Sequence, residues 1–148
     1  MKDIFNYLYL NEKLSSSGMP TPEQVKEIAE AGKTVVINLA TEKSEGAIPN
    51  EEELVTALGM KYIHIPVDWS HPTTENLAEF FSAMDTHKDD NIFVHCQANY
   101  RATAFISLYR IQRLGWKKAE AYAIMNKMWN PEDFPVWEKF MEENTTGY

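Results

Sequence analysis

An α/β fold is what the sequence predicts, because short β-branched runs alternate along it with capped, amphipathic helical segments. Size points the same way: 148 residues suit one domain, taken as residues 1–148, around a single core. Parallel strands need crossovers, which helices supply, so the alternation predicts a mainly parallel central sheet of about four strands flanked by helices. Only helical periodicity follows the last strand, so the carboxyl third should be all helical.

In chain order, Thr21-Pro22-Glu23-Gln24 has the form of a capping box with proline at the first helical position. Val25, Ile28 and Ala29 continue that helix over about 22–31, until Gly32 stops it. TVVINLA (34–40) reads as a strand buried on both faces. Asn50 with Glu53 opens a short helix closed by Gly59, and YIHIPV (62–67) is the next strand. The Thr73–Thr74 pair caps a helix whose Leu77, Phe80, Phe81 and Met84 share one apolar face. Asn91 leads into the strand IFVH (92–95); CQANYR (96–101) then enters a helix with Ala104, Phe105, Leu108 and Ile111 inward, ended by Gly115. Helices over about 117–128 and 131–143 complete the chain, the second opened by Asn130-Pro131.

The formal net charge of −8 disfavours nucleic acid and anionic membranes as partners. No stretch approaches the ~20 apolar residues of a membrane span, and MKDIFNYLYLNEKL lacks the features of a secretory signal, so a cytoplasmic location is expected. A single cysteine cannot form an internal disulfide, which fits a reducing compartment and turns attention to its reactivity. The histidines at 64, 71, 87 and 95 show no metal-ligand spacing, so neither a metal nor an organic cofactor is expected.

In open α/β sheets ligands bind beyond the carboxyl ends of the strands, so TEKSEGAIPN (41–50), DWSHP (68–72) and CQANYR (96–101) should share one rim. Cys96 falls between a strand and a helix start, where backbone N–H groups without intrahelical partners stabilise both a thiolate and a bound anion. Arg101 adds a permanent charge and a planar fork for two oxygens. Gln97, Ala98, Asn99 and Tyr100 complete a cradle for a phosphorylated substrate, protein or small molecule, and for inorganic phosphate or sulfate.

A strand ending His95-Cys96, a short loop and an arginine opening a helix resemble the cysteine-dependent tyrosine and dual-specificity phosphatases. VVINLATE (35–42) is similar to their early strand, IHIPVDWSHP (63–72) to their general-acid segment, and AEAYAIMNKMWNPEDFPVWEKFMEE (119–143) to their helical ending. More narrowly, the chain resembles small bacterial phosphatase-like proteins grouped as a domain of unknown function, DUF442. The resemblance implies a dual-specificity-phosphatase-like fold and hydrolysis of phosphoric monoesters through a phosphocysteine. Cys96 would be the nucleophile, Arg101 the phosphate clamp and Asp68 the general acid, with His95, Trp69 and Thr103 in support.

Two departures bear on activity. The family loop is one residue longer and usually carries a central glycine, for which Asn99, tolerant of positive φ, is the nearest replacement. Ala102 stands where the family has a hydroxyl that helps the thiolate leave, and Thr103 substitutes only if it turns inward.

Other readings compete with these assignments. Asp68 suits a turn before His71-Pro72, with Asp85 as the weaker alternative acid. Trp69 and Tyr100 suit either pocket or packing; Trp129 and Asn130 are placed near the site; Phe80, Phe81 and Trp137 are expected in the core. A rhodanese-like sulfurtransferase commonly has this short loop, and a catalytically weak phosphate- or phosphoprotein-binding module would also fit Ala102.

Overall fold

The sheet of the computed structural model, which describes residues 1–148, has five strands in the order β1-β2-β5-β3-β4. These are β1 (Leu8–Asn11), β2 (Leu14–Ser17), β3 (Val35–Asn38), β4 (Lys61–His64) and β5 (Ile92–His95). The three strands expected from β-branched runs are present as β3, β4 and β5, the first two trimmed to four residues each. All neighbours pair in parallel except β1 with β2, an antiparallel hairpin.

That hairpin is an addition to the expected sheet. LSSS of β2 carries almost no apolar signal, yet all four residues are buried, because the strand lies between β1 and β5 and pairs with both. Backbone pairing on two sides, which side-chain patterning does not report, holds it there.

Around the sheet lie α1 (Pro22–Glu30), α2 (Glu51–Ala57), α3 (Thr74–Thr86), α4 (Tyr100–Leu114), α5 (Lys118–Met125) and α6 (Pro135–Glu143). Thr21 forms the expected capping box with Gln24, and Thr73 forms another with Asn76. The box expected from Asn50 and Glu53 does not form: Asn50 adopts φ +61° and its side chain caps nothing. The segment at 131–143 is a 3₁₀ turn (Pro131–Asp133) followed by α6, and Pro135, lacking an N–H, restarts the helix at its first turn. No helix is long and apolar enough to cross a membrane.

Side-chain alternation sorts the strands onto two faces. Val35, Ile37, Ile92 and Val94 join the larger core under α3, α4 and α6, together with Phe80, Phe81 and Trp137. Val36 and Phe93 join a smaller cluster with Ile4, Val25, Ile28 and Val55 under α1 and α2. Continued past the apolar part, this two-residue period puts Val94 and Cys96 in the larger core, while Asn38 and His95 reach toward α2.

Candidate active site

Between β5 and α4 the chain makes one tight loop, and its carbonyls are tied from outside. Met19 N–H donates to the Gln97 carbonyl (2.9 Å) and Asn6 Nδ2 to the Ala98 carbonyl (3.0 Å). Asn99 Nδ2 donates in return to the Asn6 carbonyl (2.8 Å), while Glu45 N–H donates to Gln97 Oε1 (3.3 Å). Gly18 makes room for this packing, since a Cβ there would lie 2.6 Å from the Gln97 carbonyl oxygen. Asn99 sits at φ +69°, ψ 13°, the left-handed turn that starts α4. With these carbonyls engaged outside, the amides of Gln97, Tyr100, Arg101 and Ala102 have no acceptor within the chain, while an isolated antiparallel bridge pairs Ala98 with Gly18.

The Cys96 side chain is 1% exposed but forms wall, not filler: it lines a cavity of about 330 Å³ with Trp69, Gln97, Tyr100, Arg101 and Phe134. Arg101, also buried, donates from Nη1 to the Val67 carbonyl at 2.8 Å. That bond ties the start of α4 to the segment that carries Asp68. A second, more polar cavity continues from the first, sharing Trp69, Gln97 and Arg101 and adding Asp68, His64 and Thr41. Asp68 is exposed, and its Oδ1 accepts from Ser70 N–H (2.9 Å), so it holds its turn and faces the cleft at once. Cys96, Arg101, Asp68 and the loop Gln97–Tyr100 therefore share one rim at the carboxyl ends of β4 and β5.

Aromatic rings build one side of the cleft. Tyr100 stacks on Trp129 with centroids 4.9 Å apart, and Trp69 contacts Tyr100, Trp129, Phe134 and Trp137. Trp137 Nε1 fixes this arrangement by donating to the Trp69 carbonyl at 2.8 Å.

Glu51 is a functional candidate that sequence reasoning missed. Although it lies in a run of three glutamates, it is 5% exposed, and its Oε2 is 2.6 Å from Nε2 of the fully buried His95. Nδ1 of His95 faces the Cys96 carbonyl at 3.3 Å; a carbonyl only accepts, so Nδ1 carries a hydrogen. Asn38 Nδ2 donates to Glu51 Oε1 (3.4 Å) and lies 3.0 Å from the Tyr62 hydroxyl. Burial, with the carboxylates of Glu51, Glu52 and Glu42 nearby, pushes the Tyr62 phenol up to about 12 despite the Asn38 bond. Nothing local distinguishes Glu51 from Glu52 and Glu53; only the docking of α2 against β3 and β5 selects it.

Three sequence candidates are engaged elsewhere. Thr103 Oγ1 donates to the Asn99 carbonyl (2.7 Å), lies 3.2 Å from that of Tyr100, and accepts from Trp129 Nε1 (3.0 Å). Asp85 accepts from the Tyr109 hydroxyl (2.8 Å) and pairs with Arg113, lining neither cavity of the cleft. Asn130 accepts from Glu132 N–H and caps the 3₁₀ turn. No group of three or more His, Cys, Asp or Glu is placed to hold a metal ion.

A mainly parallel sheet whose central strand delivers a cysteine to a tight loop, closed by an arginine at a helix start, defines a cysteine-phosphatase-like domain. Comparison with known proteins gives the particular group: residues 10–141 match the family described as DSP-PTPase phosphatase fused to NAD+ kinase, and the chain belongs to that family. A DUF442 candidate phosphatase from Shewanella putrefaciens CN-32 is 39% identical and superposes with a TM-score of 0.88, over 99% of this chain and 95% of that one. Tk-PTP in its active form shares the fold at 16% identity, TM-score 0.79, over 97% of this chain and 98% of that one. The beta-lactamase hydrolase-like protein of Xylella fastidiosa (strain Temecula1) is 28% identical over 118 residues, 78% of this chain; the match spans only 27% of that relative's length.

Proposed function

We propose that this domain hydrolyses phosphoric monoesters through a phosphocysteine intermediate. The observation that carries the reading is that Cys96 and Arg101 line one cavity with Gln97, Ala98 and Tyr100, in a loop where the amides of Gln97, Tyr100, Arg101 and Ala102 bond to no acceptor of the chain. Such donors suit the equatorial oxygens of a transferring phosphoryl group, where preorganised dipoles act most strongly. The Cys96 thiolate attacks phosphorus in line; the ester P–O bond breaks as the S–P bond forms, and Asp68 protonates the leaving oxygen. Asp68 then takes a proton from water, which attacks phosphorus and releases inorganic phosphate and the thiolate. Arg101 pairs with two non-bridging oxygens throughout. The aromatic side of the cleft favours aryl leaving groups, and a nucleophilic thiol suits the reducing cytoplasm.

The shortened loop keeps sulfur transfer as the rival chemistry, so one experiment runs aryl phosphate hydrolysis beside thiosulfate-to-cyanide transfer. Hydrolysis is expected, abolished by Cys96→Ser with vanadate affinity kept, and slowed by Asp68→Asn about 10²-fold or more with little loss of binding. Sulfur transfer without hydrolysis would replace this reading. Vanadate binding without turnover of any phosphoester would make the domain a phosphate-binding module.

A further inference from the structure

The end of the sheet opposite Cys96 carries a second cavity that the proposed chemistry does not use. β2 and β5 both begin there, at Leu14 and Ile92, and roughly 13 Å of extended chain lies between Ile92 and Cys96. The cavity holds about 320 Å³, and Leu14, Met84 and Ile106 give it an apolar wall. Into that wall the last turns of α4 bring Arg110, which is only 4% exposed.

Arg110 is a buried cation without an anion. Its guanidinium has no hydrogen-bond acceptor and no carboxylate partner in the chain; Asp90, which shares the cavity, pairs with His87. What it does have is Trp116. Gly115 ends α4 at φ +73°, Trp116 N–H donates back to the Arg110 carbonyl (2.9 Å), and the indole centroid then lies 4.2 Å from Cζ. A stacked ring covers a face of the guanidinium and leaves its in-plane donors unused. Lys13 and Lys88 also line this cavity against the single acid Asp90, so with Arg110 the lining carries three cations to one carboxylate on a chain whose net charge is −8. Burial pushes the Arg110 guanidinium down from its ordinary value, as expected for a cation short of partners.

We propose that this cavity binds a small organic carboxylate, its head on the in-plane fork of Arg110 and its apolar body against Leu14, Met84 and Ile106. A single guanidinium fork matches one carboxylate, and the volume fits a medium-length or aromatic acid rather than a macromolecule. The site is separate from the phosphate loop and is joined to it by β5, which runs from Ile92 to His95 and leads into Cys96, and by α4, which starts at Tyr100 and carries Arg110 near its other end.

Sodium octanoate, titrated into the full chain while amide and indole resonances are followed by NMR, tests this. Saturable shifts are expected at the Trp116 indole and at Leu14 and Ile106, unaffected by vanadate in the phosphate loop. Octanol and inorganic phosphate should each fail to produce them. Arg110→Met should weaken octanoate at least about tenfold while keeping aryl phosphate hydrolysis and the fold, since it removes an unpaired buried charge at similar volume. Arg110→Lys, which keeps the charge but loses the fork, should weaken it severalfold and serves should the methionine variant not fold. The proposal is overturned if octanoate produces no saturable shift, if octanol binds as well, if Arg110→Met or Arg110→Lys binds like wild type, or if vanadate displaces the ligand. Because these readouts do not use catalysis, they stand whether or not the chain proves to be a phosphatase.

Discussion

Asn99 at φ +69° does the work of a glycine while adding a side chain that ties the phosphate loop to Asn6. Its Oδ1 is buried without a donor, so the residue is kept for its backbone and its Nδ2 rather than for full satisfaction. Asn99→Ala should cost about 1–2 kcal/mol of stability, from left-handed strain plus the lost bond, and should impair oxyanion binding. Asn99→Gly relieves the strain and should recover most of that binding, as read by vanadate titration and thermal melts. Next along, Ala102 offers no hydroxyl and Thr103 has committed its own to the Asn99 carbonyl and Trp129. In the proposed mechanism, thiolate departure then lacks help. Rapid mixing with an aryl phosphate should show a burst of aryl alcohol and slow steady turnover, and Ala102→Ser should raise the steady rate several-fold with the burst retained; no burst in the wild type would count against this account.

At the scale of elements, α2 matters less for its own stability than for where it puts Glu51. A seven-residue helix without a side-chain cap is a weak helix, and it is held by Val55 in the smaller core and by the buried Glu51–His95 contact. Asn38 on β3 reaches that pair and Tyr62 on β4 reaches Asn38, while Tyr62, His64, Glu42 and Glu52 line a further cavity together with Asn38 and Glu51. His95 in turn faces the Cys96 carbonyl, so under the proposed mechanism Glu51 is a positioning residue for Cys96. Glu51→Gln keeps the shape but removes the carboxylate that His95 meets. It should lower kcat about 10-fold and slow alkylation of Cys96 at neutral pH, with KM little changed. Equal alkylation rates in variant and wild type would assign Glu51 to folding alone. α4 works by a different logic: its first turn supplies amides and Arg101, and its last turns carry Arg110, so one helix spans both cavities.

For the whole molecule, stability should fall at high pH for a stated reason. Tyr62 and Tyr109 are both pushed up to about 12, in each case chiefly by burial, with Asp85 reinforcing the effect at Tyr109 and Arg113 opposing it. A phenol raised in the folded state contributes stability that is complete below its unfolded value near pH 10 and is lost as pH rises toward 12. Each tyrosine should contribute roughly 2 kcal/mol to that loss after allowance for partial exposure. Denaturant melts between pH 9 and about 12 should show the decline, and Tyr62→Phe with Tyr109→Phe should flatten it.

Much of this architecture could be read along the chain. Thr21 and Thr73 cap the helices they precede, VVIN and IFVH become central strands, and Cys96 to Arg101 is a strand–loop–helix junction, because each of these is set by bonds and burial within a few residues. Folding in three dimensions decided the rest. Ser15, Ser16 and Ser17 are buried because β5 pairs beside them, and Glu51 is buried because α2 settles over Asn38 and His95. Arg110 is buried against Trp116 because α4 ends at Gly115 and the chain turns back over it, and no carboxylate of the chain pairs with it. Capping and periodicity are local energies written in neighbouring residues; the partner of a buried polar group comes from a distant segment, and only packing assigns it.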